Sequence, residues 1–111
     1  MGMKEEIIAE LKEELLVTEG DKFNETLLRS KVNSAYRDVK AARKIPDGWS
    51  EAKVDAEMTK FYSNVHGLSL YRYNKVGAEG QTQYNQDGVS VHYEDESIYF
   101  YGVIPYAVRV G

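Results

Sequence analysis

Apolar residues recur at helical spacing over most of this 111-residue chain, and that periodicity limits its fold more than any other feature. Three amphipathic segments carry the pattern, at about residues 4–17, 22–44 and 51–75. Gly20 suits a helix C-terminus, Asp21 and Ser50 suit helix N-termini, and Pro46 stops the second segment. The sequence therefore predicts a mainly α fold with a three-helix core.

Glycines mark where the third helix is expected to weaken and to end. Gly67 lies inside the apolar stripe and costs about 1 kcal/mol relative to alanine if the helix continues through it. Gly77 and Gly80 follow a few residues later. We therefore expect the third helix to end near Lys75.

After Gly80 the helical spacing gives way to the alternation that is typical of strands. Two alternating runs flank a polar turn that ends in Asp87-Gly88, which predicts a β-hairpin over Gln81–Tyr93. The last stretch, Ser97–Val110, is rich in β-branched and aromatic residues, and Pro105 within it disfavours a central strand. The sequence therefore predicts an extended C-terminal arm after the hairpin.

Length and composition narrow the class of protein. The chain suits a single domain over residues 1–111, with the helical core at about 4–76 and the hairpin and arm at about 77–111. It has no cysteine, which excludes disulfides, thiolate zinc sites and a cysteine nucleophile. No apolar run approaches the roughly 20 residues of a membrane span. We therefore expect a small cytoplasmic-type domain with no membrane contact.

No motif in the sequence supplies a catalytic, cofactor or metal site. His66 and His92 have no metal-ligand spacing around them, and the three consecutive acids Glu94–Glu96 do not match a calcium loop. The glycine-rich turn Gly77–Gly80 follows a helix, whereas a phosphate-binding loop follows a strand and opens a helix. We therefore expect no enzyme, no cofactor and no metal; an enzyme with a carboxylate pair brought together by the fold is one alternative.

Charge is distributed unevenly along the chain, although its formal net value is only -4. Residues 1–20 hold six acids against two bases, residues 22–44 hold seven bases against two acids, and residues 76–111 hold five acids against one base. The acidic ends and the basic middle could pair within one copy or between copies. The cations of the second helix that are predicted to line one face are Arg29, Arg37, Lys40, Arg43 and Lys44.

The C-terminal stretch is the most apolar part of the chain, and it must find cover on its own helices or on a partner. We favour docking to a neighbouring subunit or partner over internal packing. The residues of the hairpin and arm that are predicted to form this interface are Tyr84, Gly88, Val89, Tyr93, Tyr99, Tyr101 and Tyr106.

Three stretches carry a resemblance to a known family: LLRSKVNSAYRDVKAARKIPD at 27–47, FYSNVHGLSLYRYNKVGAEGQTQ at 61–83 and NQDGVSVHY at 85–93. With them the chain resembles the head–tail connector, or head-completion, proteins of tailed bacteriophages, over most of its length. The junction of a helix, a GAEG-type turn and a glycine-tipped hairpin is the most specific part of the match. Relatives often have a polar or basic residue after the Gly-Val-Ser of the hairpin, where this chain has Val91.

The resemblance implies a structural virion protein, a portal adaptor that forms a homo-oligomeric ring, dodecameric in the family, and extends the DNA channel without catalysis. The implied partners are the portal protein and a further head–tail joining or tail component, with phage DNA close by. The implied location is the host cytoplasm before assembly and the head–tail junction of the virion after it. The alternative is a small DNA-binding or regulatory module that uses the basic second helix.

Overall fold

The computed structural model describes residues 2–79 and 96–104, and this part of the chain is mainly α, as the sequence predicts, with no strand. Its α-helices are α1 (Met3–Glu19), α2 (Glu25–Arg43), α3 (Glu51–Met58) and α4 (Tyr62–Glu79). Its 3₁₀ helices are Gly20–Lys22, Thr59–Phe61 and Glu96–Phe100. No helix within the described residues is long and apolar enough to cross a membrane.

Capping residues explain where the first two helices begin and end. Gly20 ends α1 at a φ of 59°, as predicted, and its N–H donates to the Leu16 carbonyl. The expectation that Asp21 is the N-cap of α2 is wrong. Asn24 is the N-cap, since its side chain accepts the Leu27 N–H at 3.0 Å, and α2 begins at Glu25. The three residues Gly20–Lys22 form a 3₁₀ turn between the two helices.

The third predicted helix is present as two α-helices that meet at a 3₁₀ turn. Ser50 caps α3 as predicted, accepting the Lys53 N–H at 3.1 Å. The predicted end near Lys75 is wrong, since α4 continues through Gly77 to Glu79. One glycine weakens a helix by about 1 kcal/mol without removing a backbone donor, so it does not stop one.

The helices enclose one apolar core, with α2 and α4 forming the central pair and α1 packed against both. Tyr73 of α4 fastens the α1–α2 connection, because its hydroxyl donates to Glu19 at 2.7 Å and accepts the Asn24 N–H at 3.0 Å. The fully buried apolar side chains are Met3, Ile7, Leu11, Leu28, Val32, Ala35, Val39, Met58, Val65 and Leu68. Apart from Met3, which precedes the first predicted segment, they belong to the apolar stripes of the three predicted segments.

The start of the predicted C-terminal arm is not extended. Glu96–Phe100 is a 3₁₀ helix that lies on α4, and Tyr99, Phe100 and Val103 pack against the core. Gly67 of α4 makes room for this contact, because a Cβ there would stand 2.9 Å from the Tyr99 ring. Tyr99, Phe100 and Val103 are therefore covered by the chain's own helices, which is the alternative to partner docking that the sequence analysis did not favour. The predicted hairpin, Gln81–Tyr93, and the arm beyond Ile104 lie outside the described residues.

Candidate interaction surfaces

The segment Glu96–Ile104 is held on the helices by side chains that bond to its backbone. The Asn64 amide donates to the Tyr99 carbonyl at 2.9 Å and to the Tyr101 carbonyl at 3.1 Å. At the far end, the Arg43 guanidinium donates to the Ile104 carbonyl at 3.0 Å. The path of this segment over α4 and the end of α2 is therefore fixed from Tyr99 to Ile104.

The outer side of the same segment is apolar. Ile98, Tyr101 and Ile104 are 62%, 85% and 63% exposed, although they alternate with side chains that pack inward. We call these three residues the C-terminal apolar patch. Because hydrogen bonds hold the backbone between them, the patch is presented by an ordered scaffold, which reduces the entropy lost when a partner binds it.

Arg72 joins the C-terminal segment to the helices. Its guanidinium makes two parallel bonds to the Glu96 carboxylate, at 2.8 and 2.9 Å, and also contacts Asp38 at 2.9 Å and the Ser34 hydroxyl at 2.9 Å. Its side chain is only 16% exposed. We call Arg72, Asp38 and Glu96 the Arg72 clasp; it forms one wall of a polar cleft of about 320 Å³.

Both carboxylates of the clasp have lowered pKa values. Hydrogen bonds from Arg72 lower the pKa of Glu96, and burial opposes this only in part. At Asp38 burial raises the pKa, but hydrogen bonds from Arg72 and Arg37 outweigh it and the net pKa is lowered. The clasp is therefore a fully ionised network at neutral pH.

The predicted basic face of α2 is partly engaged within the chain. Arg29 pairs with Glu5 of α1 at 3.4 Å and with Glu25 at 3.1 Å. Arg43 forms a largely buried pair with Glu57 of α3 at 2.6 Å and lies over the Phe61 ring at 5.3 Å. These two cations therefore pair the basic helix with acidic residues of the same copy.

The other three predicted cations of α2 remain on the surface. Arg37 is 72% exposed and contacts Asp38 at 3.1 Å, and Lys40 and Lys44 are exposed. Lys44 caps α2 in the left-handed conformation, at a φ of 56°. Arg37, Lys40 and Lys44 together form a smaller basic surface near the C-terminal end of α2.

The C-terminal end of α1 carries two exposed apolar residues that sequence reasoning missed. Both lie in the first predicted amphipathic segment, where helical spacing places Leu16 with the apolar residues, yet Leu16 is 45% exposed and Val17 is 84% exposed. We call Leu16 and Val17 the α1 apolar tip. The preceding turn contributes the exposed carboxylates Glu13 and Glu14. The tip is therefore an apolar surface with an acidic border.

A second cleft, of about 610 Å³, lies at the opposite end of α1. Its aromatic lining comes from Tyr36 of α2 and from Trp49. Asp55 fixes this lining, since it accepts the Tyr36 hydroxyl at 3.0 Å and the Met3 N–H at 3.3 Å. Burial, and then the bond to Asp55, raise the pKa of Tyr36, so its hydroxyl stays protonated as a donor.

Cations surround this second cleft, which we call the aromatic cleft. Lys4 lies 5.0 Å from the centre of the Tyr36 ring, and Lys53 lies 4.2 Å from the centre of the Trp49 ring. Lys40 also lines it, together with the acid Glu51. Ammonium groups over aromatic faces are attracted by the ring quadrupole, which keeps these lysines beside the cleft.

The remaining predicted site residues divide between the described and the other parts of the chain. Tyr99 lies on α4 with its ring 5.2 Å from that of Tyr71, whereas Tyr101 is exposed. The predicted interface residues outside the described part are Tyr84, Gly88, Val89, Tyr93 and Tyr106. Within residues 2–79 and 96–104, no three His, Cys, Asp or Glu side chains are grouped so as to hold a metal ion.

Comparison of the chain with family models, with curated proteins and with solved structures finds no match.

Proposed function

We propose that this chain is a structural subunit that works by assembly, as a head–tail connector that joins the portal of a tailed bacteriophage to the next component. The observation that carries the proposal is the C-terminal apolar patch, Ile98, Tyr101 and Ile104, held outward on a hydrogen-bonded backbone. The family resemblance described above supplies the identity of the partners. The virion head–tail junction is the location that follows from it.

The energetics of the patch favour use in many copies. Complete burial of one such side chain contributes about 1.5–3 kcal/mol, and these three are already partly covered. Association costs at least about 4 kcal/mol in lost translational and rotational freedom, so one patch gives a weak contact. A ring of subunits presents the patch repeatedly, and the contacts then act together on one partner.

The test is native mass spectrometry and sedimentation of the purified chain, alone and with portal protein. We expect an assembly of many subunits that binds portal. The double variant Tyr101→Asp and Ile104→Asp should weaken portal binding by at least about tenfold, since each change places a charge in an apolar contact. Asn33→Asp, at an exposed position on α2, is the matched control. A chain that stays monomeric and does not bind portal would exclude this function.

A small DNA-binding module is the second candidate, and the exposed cations Arg37, Lys40 and Lys44 favour it. Phosphate contacts by these residues would give binding that weakens as salt rises, with a shallower salt dependence after Arg37→Gln and Lys40→Gln. Absence of DNA binding at low salt would remove this candidate. It would also restrict the basic surface to contacts with protein.

A further inference from the structure

We propose that copies of this chain join head to tail, with the α1 apolar tip of one copy inserted into the aromatic cleft of the next. The inference rests on the proposed assembly function and specifies the contact between subunits. It is carried by the tip, Leu16 and Val17, and by a cleft of about 610 Å³ whose aromatic lining is Tyr36 and Trp49. The two surfaces are complementary in both polarity and charge.

The tip is suited to insertion because it lies at the end of a well-packed helix. Ile7, Leu11 and Leu15 anchor α1 in the core, and Leu16 and Val17, in the last turn of the helix, are exposed. Gly20 then turns the chain away from the helix axis at a φ of 59°. The exposed pair therefore has a fixed position and needs no ordering before it binds.

The tip cannot reach the cleft of its own copy. The cleft is lined by Gly2 and Lys4 at the start of α1, whereas the tip is near the end of the same helix. A rise of 1.5 Å per residue separates Lys4 from Leu16 by about 18 Å along a rigid helix. Complementary surfaces that are separated in this way on one subunit produce head-to-tail contacts, which close into a ring when the rotation between copies allows it.

Charge favours the same contact. Glu13 and Glu14 border the tip, and Lys4, Lys40 and Lys53 border the cleft. The cleft also contains two carboxylates. These are Glu51 and Asp55, and Asp55 keeps its charge because its donors, the Tyr36 hydroxyl and the Met3 N–H, are neutral. Three cations therefore stand against two carboxylates at the cleft, and an acidic tip should be attracted to it.

The single tryptophan of the chain, Trp49, lies in the cleft and reports on its occupancy. We expect its emission to shift to shorter wavelength as the wild-type concentration rises, because an inserted apolar tip excludes water from the indole. Val17→Asp should keep the emission of the monomer at every concentration. Ala9→Asp adds the same charge at an exposed position earlier in α1 and should behave as the wild type. Equal shifts for the two variants would overturn the proposal.

Mixing two variants tests the head-to-tail geometry directly. Val17→Asp places a charge in the tip and leaves the cleft unchanged. Ala52→Glu, at an exposed cleft position, places a charge in the cleft and leaves the tip unchanged. Each variant alone should sediment as a monomer with wild-type helicity. Their mixture should give a dimer and nothing larger. The unchanged tip of Ala52→Glu binds the unchanged cleft of Val17→Asp, and the tip and cleft that stay free in this dimer both carry the added charge.

The outcomes separate this inference from the proposed function. A wild-type assembly that both variants leave intact overturns the tip-in-cleft contact and preserves assembly as the function. A mixture that remains monomeric also overturns the contact. A wild-type chain that neither assembles nor binds portal overturns both.

Discussion

The two ends of the described chain are attached to the protein by different means. The N-terminal helix α1 is held by an apolar face, with Ile7 and Leu11 fully buried between α2 and α4. The C-terminal segment combines the packing of Tyr99, Phe100 and Val103 with polar contacts, namely the Arg72 clasp and the Asn64 bonds to its backbone. Apolar burial does not depend on pH, whereas an ion-pair network does, so the two attachments should respond differently to the same perturbations.

The largest expected effect is on the apolar attachment. Leu11→Ala should lower the free energy of unfolding by about 2–5 kcal/mol, because it leaves a cavity in a fully buried site. Leu16→Ala makes the same change on the exposed side of α1 and should have an effect within about 0.5 kcal/mol. Urea unfolding followed by circular dichroism at low protein concentration measures both. Equal losses would contradict the assignment of Leu16 to the surface.

The clasp should give a smaller and more local effect. Arg72→Met removes the cation that neutralises Asp38 and Glu96, and for this partly buried network we expect a loss of about 2 kcal/mol. Hydrogen exchange should accelerate in residues 96–104 and change little in α1, because the segment can detach while the helices stay packed. Uniform acceleration along the whole chain would show that the segment is an inseparable part of the core.

Acid should act on the same attachment. The folded-state pKa values of Glu96 and Asp38 lie below their unfolded values, so the stability they contribute is present at neutral pH and is lost as pH falls below about 4. Glu57, with a pKa that its bonds to Arg43 and Lys60 lower despite burial, contributes to acid sensitivity in every variant. Stability measured between pH 7 and pH 3 should therefore fall less steeply for Arg72→Met than for the wild type. If stability fell equally steeply with pH in the wild type and in Arg72→Met, the clasp would not be a source of the acid sensitivity.

The smallest expected effect is the change in stability on Gly67→Ala, whose sign should depend on whether the C-terminal segment is present. In a helix, Gly→Ala normally stabilises by about 1 kcal/mol, but a Cβ at Gly67 would meet the Tyr99 ring at 2.9 Å. Gly67→Ala should therefore destabilise the full chain and stabilise a chain that ends at residue 95. Thermal unfolding of the four proteins measures this reversal. If Gly67→Ala stabilised both the full and the shortened chain, the Tyr99 ring would have to move aside without loss of stability.

The sequence allowed the helices to be predicted because their apolar periodicity is a local signal. Ser50 and Gly20 were recognisable as caps for the same reason, although Asn24 competes with Asp21 and forms the N-cap of α2. The strand-like composition of residues 98–104 was misleading, because a long-range contact between Tyr99 and Gly67 places that part of the chain on α4. An unexplained glycine inside an apolar helical stripe was the one local sign of that contact.

The interaction surfaces were harder to predict than the fold. The spacing of Leu16 fits the buried stripe, and only the packed arrangement shows that it faces outward. Arg72 has no distinguishing feature in the sequence, since its partners Asp38 and Glu96 lie 34 and 24 residues away. The sequence predicts that Arg29 and Arg43 belong to a basic face, but it does not show that they pair with Glu5 and Glu57, because those partners are set by tertiary packing.

Sedimentation velocity of the wild type over a range of concentrations, beside the mixture of Val17→Asp and Ala52→Glu, tests the central claim most directly. The claim is that this chain functions by joining copies of itself through two separate surfaces. It predicts a large wild-type assembly, two monomeric variants, and a dimer as the largest species in their mixture. A wild-type chain that remains monomeric at every concentration and in the presence of portal protein would contradict it.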